Sequence, residues 1–173
     1  MGSKIIYKDE ESILTDEFID VGYMAENFEV KDLNGEDFEI KRSANRNLQI
    51  LMSFPSFDEF KDEILEFDTL MDEAQIDLFT YIIFNEKKDF DYKFKKLIPV
   101  FDEENEFGDI YGTKIVSGAL EDKLTKALFL IGKDGAIYHI DMPENLDKPL
   151  NIENIKTALN KAYQSYTGVG CHG

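Results

Sequence analysis

The 173-residue chain has no tryptophan, a single cysteine and four prolines, and its 19 Lys and Arg are outnumbered by 36 Asp and Glu, a formal net charge of −17. Each shortage excludes something. Cys171 has no partner for an intrachain disulfide, so no disulfide framework holds the fold and a reducing cytoplasm is the natural compartment. The deficit of basic residues makes the surface repel phosphate backbones and anionic lipid, so neither nucleic acid nor membrane is an expected partner. Long apolar runs are also missing. Leu48 to Phe54 is only strand-length, and the stretch from Met1 to Glu10 has no signal-peptide core. The prolines (Pro55, Pro99, Pro143 and Pro149) stand singly, with no Pro/Gly/Ser-rich linker and no fixed-period repeat. These features describe a soluble, intracellular domain over residues 1–166, followed by a flexible glycine-rich tail over 167–173. A hydrophobic fraction of 43% gives that domain enough material for a core.

The patterning of what is present suggests α/β architecture. Lys4 to Lys8 and Ser12 to Leu14 read as a hairpin around Asp9-Glu10-Glu11. Phe28 to Leu33 and Asp37 to Ile40 read as another across Asn34-Gly35, a pair that tolerates positive φ. Leu48 to Phe54, almost continuously apolar and stopped by Pro55, is the pattern of a central strand buried on both faces. The period then changes. Phe60, Ile64, Phe67, Met71 and Ala74 form one helical stripe, with Glu59, Asp62, Glu63, Glu66 and Asp72 on the rest of the wheel and Ser56 or Asp58 as candidate caps. Strands follow at Leu78 to Phe84 and Ile98 to Phe101, with a basic helix predicted over Lys87 to Lys96 between them. A short helix from Glu103 to Tyr111, a strand pair at Ala127 to Ile131 and Ala136 to Asp141, and a helix from Ile152 to Tyr166 complete the chain. The order predicts a mixed sheet with helices on both faces.

Several local strings narrow this to a family. Val21-Gly22-Tyr23-Met24-Ala25-Glu26-Asn27-Phe28 resembles the V-G-x-x-A-P-x-F motif of the peroxiredoxins, with Glu26 where proline is usual. Phe107-Gly108-Asp109-Ile110-Tyr111-Gly112 is similar to their F-G-x-x-Y-G segment. Residues 127–135 resemble their A-x-F-x-x-D-K-D-G turn, with Gly132 in place of the first acid. The opening hairpin is similar to the one that marks the thiol peroxidase subfamily. The resemblance spans Ile5 to Tyr166 and implies a thioredoxin-like fold with a peroxidase site at the head of the first long helix.

At that site the chain departs from the family. The proline after the buried strand is present as Pro55, but Glu59 stands where the resemblance implies threonine and Asp62 where it implies the peroxidatic cysteine. Lys126 stands where the family supplies arginine. Peroxide reduction needs a thiolate to attack oxygen and donors to stabilise the departing oxyanion. A carboxylate cannot cycle through a sulfenic acid, and Glu59 presents only acceptors. An ammonium also lacks the paired geometry of guanidinium. Asp62, in the first turn, would still gain about 0.3–1 kcal/mol from the helix dipole. One reading is that Asp62, with Lys126 nearby, mimics a thiolate or sulfinate and holds a permanent binding conformation. The plainer and preferred reading makes Asp62 and Glu59 solvated first-turn acids on an abandoned site.

Other candidates are weaker. Cys171 beside His172 in the tail is read as an ordinary free thiol; a redox or ligand role is the alternative. Zinc takes about four ligands, and the tail offers two, so no metal or cofactor is expected. His139 reads as a sheet residue with a satisfied ring. Asp102-Glu103-Glu104-Asn105-Glu106 reads as solvated surface, lacking the pattern of a calcium loop. The lysines of the basic helix read as a solvated face, and the 22 aromatic residues (14 Phe, 8 Tyr) could feed a dimer contact, which the resemblance also implies. Expected, then, is a thiol peroxidase homologue without its peroxidatic cysteine, serving as a binding or regulatory module for a protein partner or a second copy. The alternative is a thiol-dependent peroxidase or oxidoreductase acting through Cys171.

Overall fold

The computed structural model describes residues 2–42 and 47–168, with side chains as far as Gln164. A hairpin opens the chain, β1 (Lys4–Tyr7) running antiparallel to β2 (Glu10–Leu14). Its turn falls on Lys8 and Asp9, at φ of 50° and 66°, rather than on Asp9 to Glu11. That geometry suits the right-handed twist of the flanking strands. In the second hairpin, β3 (Phe28–Lys31) pairs with β4 (Asp37–Ile40). Its connection is longer than the expected Asn34-Gly35 turn. The Asp32 carboxylate accepts the N–H groups of Asn34 and Glu36, and Gly35 supplies the positive φ.

The apolar run becomes β5 (Leu48–Ser53), buried at every residue, and the stripe becomes α1 (Lys61–Ala74). β6 (Leu78–Phe84), β7 (Ile98–Phe101), α2 (Glu106–Ile110), β8 (Ile115–Gly118), β9 (Ala127–Ile131), β10 (Ile137–Asp141) and α3 (Ile152–Gly168) follow. The main sheet has the order β10-β9-β5-β6-β7-β3-β4, parallel through β5, β6 and β7 and antiparallel outside them, while β1, β2 and β8 form a smaller sheet. Strand alternation divides the interior. Leu48, Ile50 and Met52 face α1 and α3, packing with Ile64, Phe67, Met71, Ile155 and Leu159. Leu51, Tyr81, Ile83 and Phe129 face the other way, against Phe107 of α2 and Tyr111 at its C-cap. The expected mixed sheet with helices on both faces and an N-terminal hairpin is therefore present.

The structure also departs from the expectations. Residues 87–96 form no helix. The buried Asp68 carboxylate accepts the N–H groups of Lys95, Lys96 and Leu97, holding the segment in an irregular course, while Phe90 and Phe94 pack on Phe57. β8 was absent from the sequence pattern; only Ile115 of its four residues is buried. α3 runs to Gly168, two residues into the expected tail. Neither Ser56 nor Asp58 caps α1; Phe60 holds the N-cap position, with no side-chain cap. Asp102 is buried rather than solvated, and its carboxylate accepts the N–H groups of Phe107 (3.0 Å) and Gly108 (2.8 Å) in the first turn of α2. His139 lies in β10 as expected, but its buried Nε2 has no hydrogen-bond partner.

Candidate functional site

The apolar run of β5 ends at a buried Pro55, and the chain turns over Phe57 to Phe60 before α1 begins. Phe60 closes this turn from within. Its ring lies 5.4 Å from that of Phe54 and 5.1 Å from that of Tyr7, so the N-terminal hairpin is fastened to the head of α1 by an aromatic column. β1 is held in turn by residues 144–147. Ile6 N–H donates to Glu144 O, Leu146 N–H to Ile6 O, and Lys8 N–H to Asp147 Oδ2.

Glu59, Asp62 and Lys126 line one surface depression of about 480 Å³ beside this column. Pro55 lies outside it, on the neighbouring cleft. Asp62 is exposed and occupies the second position of α1, where the helix dipole favours its charge. Glu59 is also exposed, and its Oε1 accepts the Ser56 hydroxyl at 3.2 Å. The two side chains of this Ser-x-x-Glu string bond each other, while α1 starts beyond them. Carboxylates in the depression outnumber ammonium groups: Asp58, Glu59, Asp62, Glu63 and Asp147 against Lys8, Lys61 and Lys126. The local potential therefore disfavours an anionic leaving group.

Lys126 sits at the base, only 1% exposed, just before β9. Its ammonium donates to Glu63 Oε1 at 2.5 Å and to Lys148 O at 2.8 Å, and lies 5.1 Å and 5.7 Å from the ring centroids of Phe60 and Phe54. An ammonium has three donors. Two are committed to oxygen, and the aromatic faces take up the remaining side. Glu63 is equally committed: its second oxygen accepts Leu150 N–H at 2.8 Å. The cation expected near Asp62 is thus paired with the next residue along, and one carboxylate joins the first turn of α1, the approach to β9 and the lead into α3. Sequence reasoning missed Glu63 because its place on the wheel does not distinguish it from its solvated neighbours. A lysine at the head of the apolar run at 127–131 was the available signal for a buried counterion.

Away from the depression, Tyr111 of the Phe-Gly-x-x-Tyr-Gly string uses a backbone N–H at position 26 that a proline there would lack. Its hydroxyl accepts the Glu26 N–H and donates to Glu26 O, each at 3.2 Å. Proline has no N–H to give. Burial pushes the Tyr111 phenol up to about 12, so it remains a donor. Gly112, at φ 70°, lets the chain pass Glu17 so closely that a Cβ would lie 2.4 Å from its carbonyl oxygen. Cys171 and His172 lie outside the described residues. Among those residues, no group of three or more His, Cys, Asp or Glu side chains is placed to hold a metal ion, and no helix is long and apolar enough to cross a membrane.

No protein-family model matches the chain, and no curated protein matches it in sequence. Solved structures do. A thiol peroxidase from Chromobacterium violaceum superposes with a TM-score of 0.80 at 17% identity, over 95% of this chain and 100% of that one. A peroxiredoxin-like protein from Aquifex aeolicus gives 0.79 at 16%, over 94% and 98%. The mitochondrial 2-Cys peroxiredoxin from Plasmodium falciparum gives 0.66 at 16%, over 85% and 96%. From hairpin to last helix, the chain has the thioredoxin-like fold of the peroxiredoxin structures.

Proposed function

We infer that this protein is a thiol peroxidase homologue without peroxidase chemistry, working as a binding or regulatory module for a protein partner in a reducing cytoplasm. The observation that carries this reading is the commitment of Lys126. The buried Lys126 ammonium at the base of the depression is paired with Glu63 and flanked by Phe54 and Phe60, which turns its charge away from a developing oxyanion. Asp62 supports the same conclusion, because a carboxylate has no reversible oxidation step with hydroperoxide. The thioredoxin-like frame is kept, and its exposed loops are free to recognise another chain.

The test is multi-turnover hydroperoxide consumption by the full chain with excess thiol reductant, beside Cys171→Ser. Both should match the reductant-only blank. Turnover in the full chain that vanishes in C171S would replace this reading with catalysis through the tail thiol.

A further inference from the structure

A second cleft, of about 290 Å³, opens beyond the carboxyl ends of the parallel strands β5 and β6, between residues 55–58 and 84–88. In open α/β sheets this is where loops diverge and ligands settle. Its charge differs from that of the molecule around it. Lys87, Lys88 and Lys123 line it, against Asp58 and Glu86, in a chain of net charge −17. Lys88 is engaged by Asp58 at 3.3 Å. The ammonium groups of Lys87 and Lys123 have no carboxylate within ion-pair distance among the described residues. The floor is apolar, made by Pro55, Phe57 and Phe84.

The cleft is also built to keep its shape. Residues 85–97 carry no regular structure, and loops of that length inside a compact domain are usually functional. Asp68, with no solvent exposure, gathers three N–H groups of this loop, and the Tyr92 hydroxyl donates to the same carboxylate at 3.2 Å. The ring of Phe90 stands 5.0 Å from that of Phe57, the floor residue. Asn85 Nδ2 donates to Asp122 O, tying the segment of Lys87 to the segment of Lys123. Two ammonium groups with no carboxylate partner among the described residues are thereby carried by a fixed frame, which lowers the ordering cost of binding.

We propose that this cleft docks an acidic segment of a protein partner, with a carboxylate of that segment between Lys87 and Lys123. The occupant is a peptide rather than a nucleic acid, because the −17 background opposes an extended polyanion while a single carboxylate meets only the local lysines. A second copy is disfavoured by the same repulsion between whole molecules. The proposal rests on the reading of the chain as a binding module.

The probe is a short fluorescein-labelled peptide of alternating glutamate and leucine, followed by anisotropy with the full chain at low ionic strength. Saturable binding is expected. It should weaken by about tenfold or more in Lys87→Glu/Lys123→Glu and when the peptide's glutamates become glutamine, and by less in Lys87→Gln/Lys123→Gln. Lys161→Glu, on the exposed side of α3, should bind as the parent does, and all variants should keep the parent melting temperature. Retained affinity in the double charge reversal overturns the proposal. So does displacement of the peptide by equimolar inorganic phosphate, which would make the cleft a free-anion site. Concentration-dependent self-association abolished by the same variants would assign the surface to a second copy instead. Peroxide turnover is measured separately, so failure of peptide binding leaves the reading of lost chemistry standing, and the reverse also holds.

Discussion

Asp102 is fully buried, and the charge on its carboxylate opposes its surroundings even though two N–H groups of α2 point at it. Burial outweighs those hydrogen bonds and pushes its carboxyl up from 3.8 to about 6, with Asp109 and Glu106 adding to the rise. The folded protein therefore holds this proton more tightly than the unfolded chain does. The resulting stability is fully present below about pH 4 and is lost as pH rises through about 6; roughly two pH units correspond to about 3 kcal/mol. Denaturant unfolding between those values should show this downward slope in the parent chain and lose it in Asp102→Asn. An identical slope in both would remove Asp102 as its source. Asp102 reads in sequence as one acid in a hydrophilic run. Its role emerges only when the chain leaves β7 at Phe101 and turns into α2 at Glu106, which brings the first-turn N–H groups back onto it. Asp68 was more legible, since it stands four residues after Ile64 and three before Met71, on the apolar stripe itself.

At the scale of the element, Asp68 decides the course of a whole segment. Residues 87–96 have helical periodicity, with Phe90, Phe94 and Leu97 spaced for one face, yet the N–H groups near the end of that segment are taken by a carboxylate from α1. Tertiary hydrogen bonding overrides local propensity here. Asp68→Ala should leave these N–H groups and the Tyr92 hydroxyl without their acceptor and destabilise the fold by about 3 kcal/mol. Amide exchange should accelerate over residues 92–97 well before it does in β5. Uniform acceleration across the chain would mean that the loop is not held locally. The strands were readable for the opposite reason: burial on both faces leaves β5, β6 and β9 little choice but continuous apolar runs. The resemblance singled out Glu59, Asp62 and Lys126, which line one depression, but which carboxylate would reach the buried ammonium depended on side-chain direction at the head of α1.

For the whole molecule the dominant quantity is charge. With 36 acids against 19 bases, compaction works against self-repulsion, and screening should relieve it. Raising salt from about 0.01 to about 0.5 M shortens the Debye length from about 30 Å to a few ångströms. The gain should be about 1 kcal/mol, or roughly 2–4 °C in melting temperature at this size. A melting temperature that falls with salt would mean that local ion pairs outweigh the global field. The ties across elements set a different limit. Glu63 serves Lys126 and Leu150 at once, and Lys126 serves Glu63 and Lys148. Removing the Glu63 carboxylate strands the buried Lys126 ammonium, at a cost of about 3–5 kcal/mol, whereas Glu63, partly open to the depression, tolerates loss of Lys126 better. A variant given sulfur at position 62 would still face a cation held by Glu63 and Lys148 O rather than turned toward a substrate. In that sense the pair acts as a bolt: the head of α1, the approach to β9 and the lead into α3 move together or not at all.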